Sequence, residues 1–131
     1  MTAGPDQRQT FRRSRRVTRT GDFRAVYAYR ARAADQRLVA YVKPNGLAQA
    51  RLGVSVGRRC GGAVERNRTK RLLREAFRQC AALRPAGHDL VVVALGRDYS
   101  LGEVERRLTD LVAEAVRQSR RKQEPPREAS P

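Results

Sequence analysis

The spacing of apolar residues along the chain predicts three helices. Apolar side chains recur at intervals of three and four residues after Thr20, which predicts a short helix over about residues 21–29. Residues 63–80 contain no glycine or proline and collect their apolar side chains on one side, so they predict a longer amphipathic helix. A Ser-x-x-Glu capping box predicts a third helix over about residues 101–118.

Three segments between these helices have the pattern of strands. Residues 37–43 and 51–57 are joined through turn residues, which predicts that the two strands form a hairpin. Residues 90–95 are all apolar, as is typical of a buried central strand. The order strand, helix, strand then predicts a βαβ crossover with parallel strands. The pattern therefore predicts an α+β domain in which a mixed sheet packs with helices.

One face of the strand over residues 51–57 carries almost no side chains, because Gly53, Ser55 and Gly57 share that face. Glycine in a strand indicates either that another group approaches the backbone closely or that the strand contains a bulge. The pattern leaves both interpretations open.

The length of 131 residues is that of one domain, and a hydrophobic content of 40% is sufficient for a modest core. The polar, charged ends of the chain predict disordered tails over residues 1–10 and 119–131, which leaves a single domain over residues 11–118. No segment has the pattern of a membrane span or a secretory signal, so we expect a cytoplasmic protein with no membrane partner.

Few residues suit a metal site or an enzymatic active site. Cys60 and Cys80 are isolated, with no Cys-x-x-Cys spacing, and His88 is the one histidine. We therefore expect two reduced thiols, with neither a disulfide nor a metal site. The chain also lacks a Ser/His/Asp pattern and paired carboxylates in an apolar setting, so we expect no catalytic residue in the protein itself.

The net charge of +16 is concentrated in the first two thirds of the chain. Residues 1–35 carry +6, residues 36–80 carry +9 and residues 81–131 carry only +1. A polyanion is therefore expected to bind the N-terminal segment and the elements around residues 50–80, with the C-terminal third as scaffold.

The most basic segment runs from Arg58 to Arg78 and holds eight basic residues and two acidic ones, with six of the basic residues on the predicted helix. A charged helix face is often merely solvated. Here, however, only Glu75 could pair with a basic neighbour inside the helix. A cationic stripe of this kind can follow a phosphate backbone, which predicts binding to nucleic acid.

Part of this segment reads Gly61-x-Ala63-Val64-x-Arg66-Asn67-Arg68-x-Lys70-Arg71-Leu72-Leu73-Arg74-Glu75-Ala76-Phe77-Arg78. It resembles the signature helix of the protein subunit of bacterial ribonuclease P, which is centred on an Arg-Asn-Arg motif. The resemblance covers roughly residues 12–118 and includes the flanking segments Asp22-Phe23-x-x-Val26-Tyr27, Arg51-Leu52-Gly53-Val54-Ser55-Val56 and His88-Asp89-Leu90-Val91-Val92-Val93-Ala94.

The resemblance implies a small two-layer sandwich, similar to the second domain of ribosomal protein S5, with a left-handed βαβ crossover. It also implies a protein subunit of an endoribonuclease that hydrolyses one phosphodiester bond in precursor tRNA and so removes the 5′ leader. In this family the RNA subunit carries the catalytic site with its Mg²⁺ ions. The protein joins that RNA in a 1:1 complex, and it broadens and tightens substrate binding at low Mg²⁺.

The resemblance further implies two RNA-binding surfaces. The first faces the RNA subunit and comprises Arg58, Arg59, Arg66, Asn67, Arg68, Lys70, Arg71 and Arg74. The second is a cleft between the first helix and the sheet that accepts the single-stranded leader, and it comprises Phe23, Tyr27, Val39, Tyr41, Arg12, Arg13, Arg15, Arg16 and Arg19. Aromatic rings stack on bases with little sequence preference. From spacing alone, the two rings on the helix equally suit a core position beneath it.

Composition is compatible with two other functions. A structural RNA-binding protein of the ribosomal-protein type could use the same basic helix to hold folded RNA. A DNA-binding module is disfavoured, because no second helix of a helix-turn-helix motif accompanies the basic one.

Overall fold

The structure, a computed structural model, describes residues 16–124. The predicted N-terminal tail lies outside this range. The helices are α1 (Thr20–Tyr29), α2 (Ala63–Gln79) and α3 (Leu101–Gln123), and the strands are β1 (Ala31–Ala34), β2 (Leu38–Pro44), β3 (Arg51–Val56) and β4 (His88–Ala94). Two short 3₁₀ turns, Arg58–Cys60 and Ala81–Leu83, flank α2.

The four strands form one mixed sheet in the order β1-β2-β4-β3. Strands β3 and β4 are parallel on either side of α2 in sequence, which confirms the predicted βαβ unit. The predicted hairpin of β2 and β3 is wrong, because β4 inserts between them and pairs antiparallel with β2. The apolar strand β4 has neighbours on both edges, so its backbone groups are paired and its side chains are buried.

The hairpin that does form joins β1 to β2. Strand β1 has the sequence Ala31-Arg32-Ala33-Ala34, which lacks the β-branched and aromatic residues that mark a strand in sequence. It was therefore absent from the predicted element order. The chain turns from α1 into β1 at Arg30, whose φ of 66° lies in the left-handed region.

The two faces of the sheet are covered differently. Helices α2 and α3 cover one face, where Phe77, Leu73 and Leu108 pack against Leu90 and Leu38 in the main core. The opposite face carries α1, whose Val26 is 1% exposed and anchors the helix to the sheet. Because α1 is short, part of that face next to it remains accessible.

Helix α3 is longer than predicted and extends to Gln123. The expectation of a disordered tail from residue 119 is therefore wrong for residues 119–123, while residues 125–131 lie outside the described range. Ser119 is fully buried, and its Oγ lies 3.0 Å from Nε2 of the buried His88 at the start of β4. This contact holds the last turns of α3 against the sheet.

The turn between β1 and β2 is tied to α3 by charged groups. Arg37 donates to Glu103 at 2.8 Å, and Arg107 donates to both Asp35 and Glu103. The Arg37 guanidinium holds the pKa of Glu103 below its usual value. Partial burial opposes ionisation of Asp35, but backbone amides and Arg107 outweigh it and lower the pKa of that carboxyl as well.

Cys60 is buried and Cys80 is partly buried, and both are free thiols. No helix within residues 16–124 has the length and apolar character needed to cross a membrane.

Candidate RNA interface

Helix α2 begins at a tight turn that uses the first acidic residue of the segment. Gly61 has a φ of 110°, in the region that favours glycine, and the amide of Gly62 donates to Oε1 of Glu65 at 2.6 Å. Thr69, Leu73 and Phe77 are buried and orient the helix against the sheet. The polar side of α2 therefore faces solvent.

Both acidic residues of α2 are engaged in local contacts. Glu65 caps the helix, and Glu75 accepts hydrogen bonds from Arg78 at 2.5 Å and from Gln79. Neither of them neutralises the other cations in the α2 surface. We use this name for Arg58, Arg59, Arg66, Asn67, Arg68, Lys70, Arg71 and Arg74, the set predicted to bind the RNA subunit.

The α2 surface wraps around the helix and does not form a single stripe. At about 100° per residue, Arg66 and Arg68 lie on opposite flanks. Arg66, Lys70 and Arg74 occupy the half-buried flank, whereas Arg68 lines a small open pocket with Arg97. The Arg-Asn-Arg motif therefore presents cations in two directions. Arg97, in the loop between β4 and α3, was not predicted, because no motif marks it in the sequence.

The inner flank of α2 has the character of an anion site. The Nε of Arg66 is buried, and within residues 16–124 it has no hydrogen-bond acceptor. Burial lowers the pKa of Arg74, and the positive charge of the nearby Arg16 lowers it further. A phosphate oxygen at this flank would accept from buried donors and relieve the repulsion between the cations.

The N-terminal segment runs along the free edge of β3, between α2 and α1. The amide of Val17 donates to the carbonyl of Leu52 at 2.9 Å, and Arg16 forms an isolated parallel bridge with the same residue. Arg19 precedes α1 and is exposed. The other predicted cations of this segment, Arg12, Arg13 and Arg15, lie outside the described residues.

Three half-exposed aromatic rings lie together where α1 crosses the sheet. The Tyr27 and Tyr41 rings meet edge to face, with centroids 4.8 Å apart, and the Phe23 centroid lies 6.4 Å from that of Tyr27. Burial raises the pKa of Tyr27, against the opposing effect of a hydrogen bond with Ser55. We call these three rings the aromatic cleft. Val39 is 6% exposed and forms part of the floor, with little surface to offer a ligand.

Gly53 explains how Phe23 is held. A Cβ built on Gly53 would lie 2.8 Å from Cζ of Phe23 and 3.0 Å from Cβ of Val17. The side-chain-poor face of β3 therefore reflects a close approach to the backbone, and the approaching group is the ring of Phe23. The ring packs against the sheet while its other side stays half-exposed, so the core and cleft interpretations of Phe23 both apply.

The structure adds one cation to the cleft that the sequence did not indicate. Arg32 pairs in register with Tyr41, and its guanidinium carbon lies 5.5 Å from the centroid of that ring. This residue was missed because its position depends on β1, which has no strand signal.

Known proteins resemble this chain over most of its length. The family model described as Ribonuclease P matches residues 11–116. The ribonuclease P protein component of Shouchella clausii is 36% identical over 107 residues, which are 79% of this chain and 88% of the relative. The component of Clostridioides difficile is 32% identical over 106 residues, which are 78% of this chain and 92% of the relative.

A solved structure shares the fold as well. The RNase P protein from Thermotoga maritima, in complex with 1-(4-fluorophenyl)-2-thiourea, aligns with a TM-score of 0.60 and 30% identity over 68% of this chain and 89% of that one. The mixed four-stranded sheet packed with helices is common to both. These similarities favour the ribonuclease P function over the ribosomal and DNA-binding alternatives. The chain belongs to the family of bacterial ribonuclease P protein components, which act in the 5′ processing of tRNA.

Proposed function

We propose that the α2 surface binds the catalytic RNA subunit of ribonuclease P in a 1:1 complex, and that the aromatic cleft binds the single-stranded 5′ leader of precursor tRNA. The observation that carries this proposal is the continuity of the two surfaces. Arg16 lies close to Arg74 on α2, while the adjacent Val17 lies beside Phe23 of the cleft across Gly53. An RNA held at α2 is thus adjacent to a strand held in the cleft.

In this proposal the RNA subunit cleaves the phosphodiester bond with its own Mg²⁺ ions, and the protein positions the substrate. Within residues 16–124, no three His, Cys, Asp or Glu side chains are placed to hold a metal ion. Three of the partly or fully buried carboxylates are engaged by arginines: Asp35 by Arg107, Asp89 by Arg51 and Glu103 by Arg37. Their contacts suit structural roles.

The same geometry explains how the protein would assist at low Mg²⁺. Cations of the α2 surface neutralise phosphates that would otherwise require metal ions, and each contact releases counterions. Stacking in the cleft contributes about 1–3 kcal/mol per base with little sequence preference. That tolerance suits a cytoplasmic enzyme that must process many precursor tRNAs with different leaders.

The proposal is tested by reconstitution with a bacterial ribonuclease P RNA at low Mg²⁺. Addition of the protein should increase leader cleavage, and an unchanged rate would refute the proposal. Arg68→Ala should weaken assembly with the RNA subunit in a gel-shift titration at several salt concentrations. Arg106→Ala, which removes an exposed cation from α3, is the control and should leave assembly unchanged.

The cleft is tested separately with Tyr41→Ala. This change removes a stacking surface, so it should weaken binding of precursor tRNA by about fivefold or more and leave mature tRNA unaffected. Tyr41→Phe keeps the ring and should bind both as the parent does. Equal losses for precursor and mature tRNA would refute the assignment of the cleft to the leader.

A further inference from the structure

The near-neutral C-terminal third of the chain contains a strongly basic end. Residues 115–122 of α3 include four cations and no acidic residue: Arg117, Arg120, Arg121 and Lys122. The acidic residues of the helix precede this segment, and Glu103 is paired with Arg37 at the opposite end of α3. The net charge of +1 over residues 81–131 therefore conceals a cationic helix end.

This helix end lies beside the edge strand β1 and the last turn of α1. Nζ of Lys122 lies 5.4 Å from the centroid of the Tyr29 ring, and the Tyr29 hydroxyl donates to the carbonyl of Ser119 at 3.5 Å. The amide of Arg32 donates to Oε1 of Gln118 at 2.9 Å, which occupies an N–H on the free edge of β1. We call Tyr29, Arg30, Arg32, Arg121 and Lys122 the β1-edge patch.

The β1-edge patch is continuous with the aromatic cleft. Arg32 belongs to both, since its guanidinium faces Tyr41 and its backbone faces α3. Arg30, Arg32, Arg121 and Lys122 are exposed. The acidic residue nearest in α3, Glu114, bonds Arg117 at 2.7 Å and lies 3.8 Å from Arg121. A net positive charge therefore remains at the patch.

The order of the strands sets a direction across these surfaces. Helix α2 packs against β3, the aromatic cleft lies over the middle of the sheet, and the patch lies at β1 on the far edge. A strand that starts near the RNA bound by α2 and crosses the cleft must leave the sheet over β1. At about 4.8 Å per strand spacing, the path across the sheet is roughly 15 Å long.

We propose that the β1-edge patch binds the phosphates of leader nucleotides that lie beyond those held in the aromatic cleft. The occupant is single-stranded RNA, because the patch combines exposed cations with the Tyr29 ring, and this combination suits a backbone with accessible bases. The inference rests on the proposed function of the cleft. It assigns a partner to a helix end that the sequence indicated to be scaffold.

A structural alternative is that these cations only offset the helix dipole, since basic residues are favoured at helix C-termini. The two roles make different predictions. A dipole role affects the stability of α3 and is indifferent to RNA length, whereas a phosphate-binding role depends on whether the leader is long enough to reach β1.

The test uses reconstituted ribonuclease P and precursor tRNAs with leaders of about five and about 15 nucleotides, which bracket ordinary single-strand site sizes. The variant Arg121→Gln/Lys122→Gln should weaken binding of the long-leader substrate by roughly fivefold. Its salt dependence should fall by about 1.4, or about 0.7 for each lost contact with a single strand. Binding of the short-leader substrate should be unchanged.

The matched control is Arg106→Gln/Arg120→Gln, which removes two exposed cations from the other flank of the same helix. It should leave both substrates unaffected. Equal effects of the two double variants, or equal loss for long and short leaders, would overturn the proposal. If Tyr41→Ala also fails to distinguish precursor from mature tRNA, the cleft assignment fails with it. If only the leader-length effect is missing, the cleft assignment remains and the patch alone is refuted.

Discussion

The contact between Gly53 and Phe23 makes a sharp prediction about how α1 is positioned. The variant Gly53→Ala adds a Cβ that would lie 2.8 Å from Cζ of Phe23 and 3.0 Å from Cβ of Val17. Carbon atoms in contact are separated by about 3.5–4.0 Å, so the ring must shift by roughly 1 Å. Overpacking of this kind costs about 1–3 kcal/mol, and we expect the free energy of unfolding to fall by about 2 kcal/mol.

The matched control is Gly57→Ala, just beyond the same strand. A Cβ on Gly57 would meet no heavy atom within 4 Å, and its φ of −89° is accessible to any residue. Urea unfolding should show no loss for this variant, or a gain of about 0.5 kcal/mol from a less flexible unfolded chain. Gly53→Ala should also weaken leader binding, because the displaced ring of Phe23 carries α1 and Tyr27 with it.

A double-mutant cycle locates the origin of the effect. If the added methyl clashes with the ring, Phe23→Leu should relieve part of the cost, with a coupling energy of at least about 0.5 kcal/mol. A cost of Gly53→Ala that is the same in both backgrounds, or that matches Gly57→Ala, would contradict the packing described here.

Two further predictions concern charged groups. Asp89 accepts from Arg51 at 2.6 and 2.7 Å and is 5% exposed, so Asp89→Ala should cost about 2 kcal/mol in urea unfolding; the exposed partner Glu75, changed to alanine, should cost under about 0.5 kcal/mol, and equal costs would contradict the argument. The folded-state pKa values of Asp35 and Glu103 are lowered, so their stabilisation is present above the unfolded-state pKa of about 4 and is lost as the pH falls through the folded-state values. The difference in Tm between the parent and Asp35→Asn/Glu103→Gln should therefore shrink below about pH 4, whereas a difference that is independent of pH would refute this role.

Local patterns were sufficient where one element determines its own character. The separation of apolar and cationic residues on α2 follows from helical periodicity, so the sequence alone identified both its buried side and its basic side. The apolar run of β4 likewise predicted a central strand, and the capping box correctly located the start of α3. The motif around Arg66 and Arg68 was sufficient to indicate the family.

Long-range pairing was not accessible from these patterns. The sequence placed β2 beside β3 because they are neighbours in the chain, but the apolar faces of both strands are better satisfied with β4 between them. Strand β1 is recruited by pairing with β2 despite a sequence with little strand preference. Helix α3 continues past the predicted end because Ser119 meets His88, a contact between residues 31 positions apart.

The sequence by itself therefore determined the helices, the central strand, the concentration of positive charge and the family. Only the tertiary structure decided that Phe23 rests on Gly53, that Arg32 faces Tyr41 and that the cations at the end of α3 adjoin the same sheet edge. The physical reason is that periodicity reports which side of an element is buried. It carries no information about which distant element covers that side.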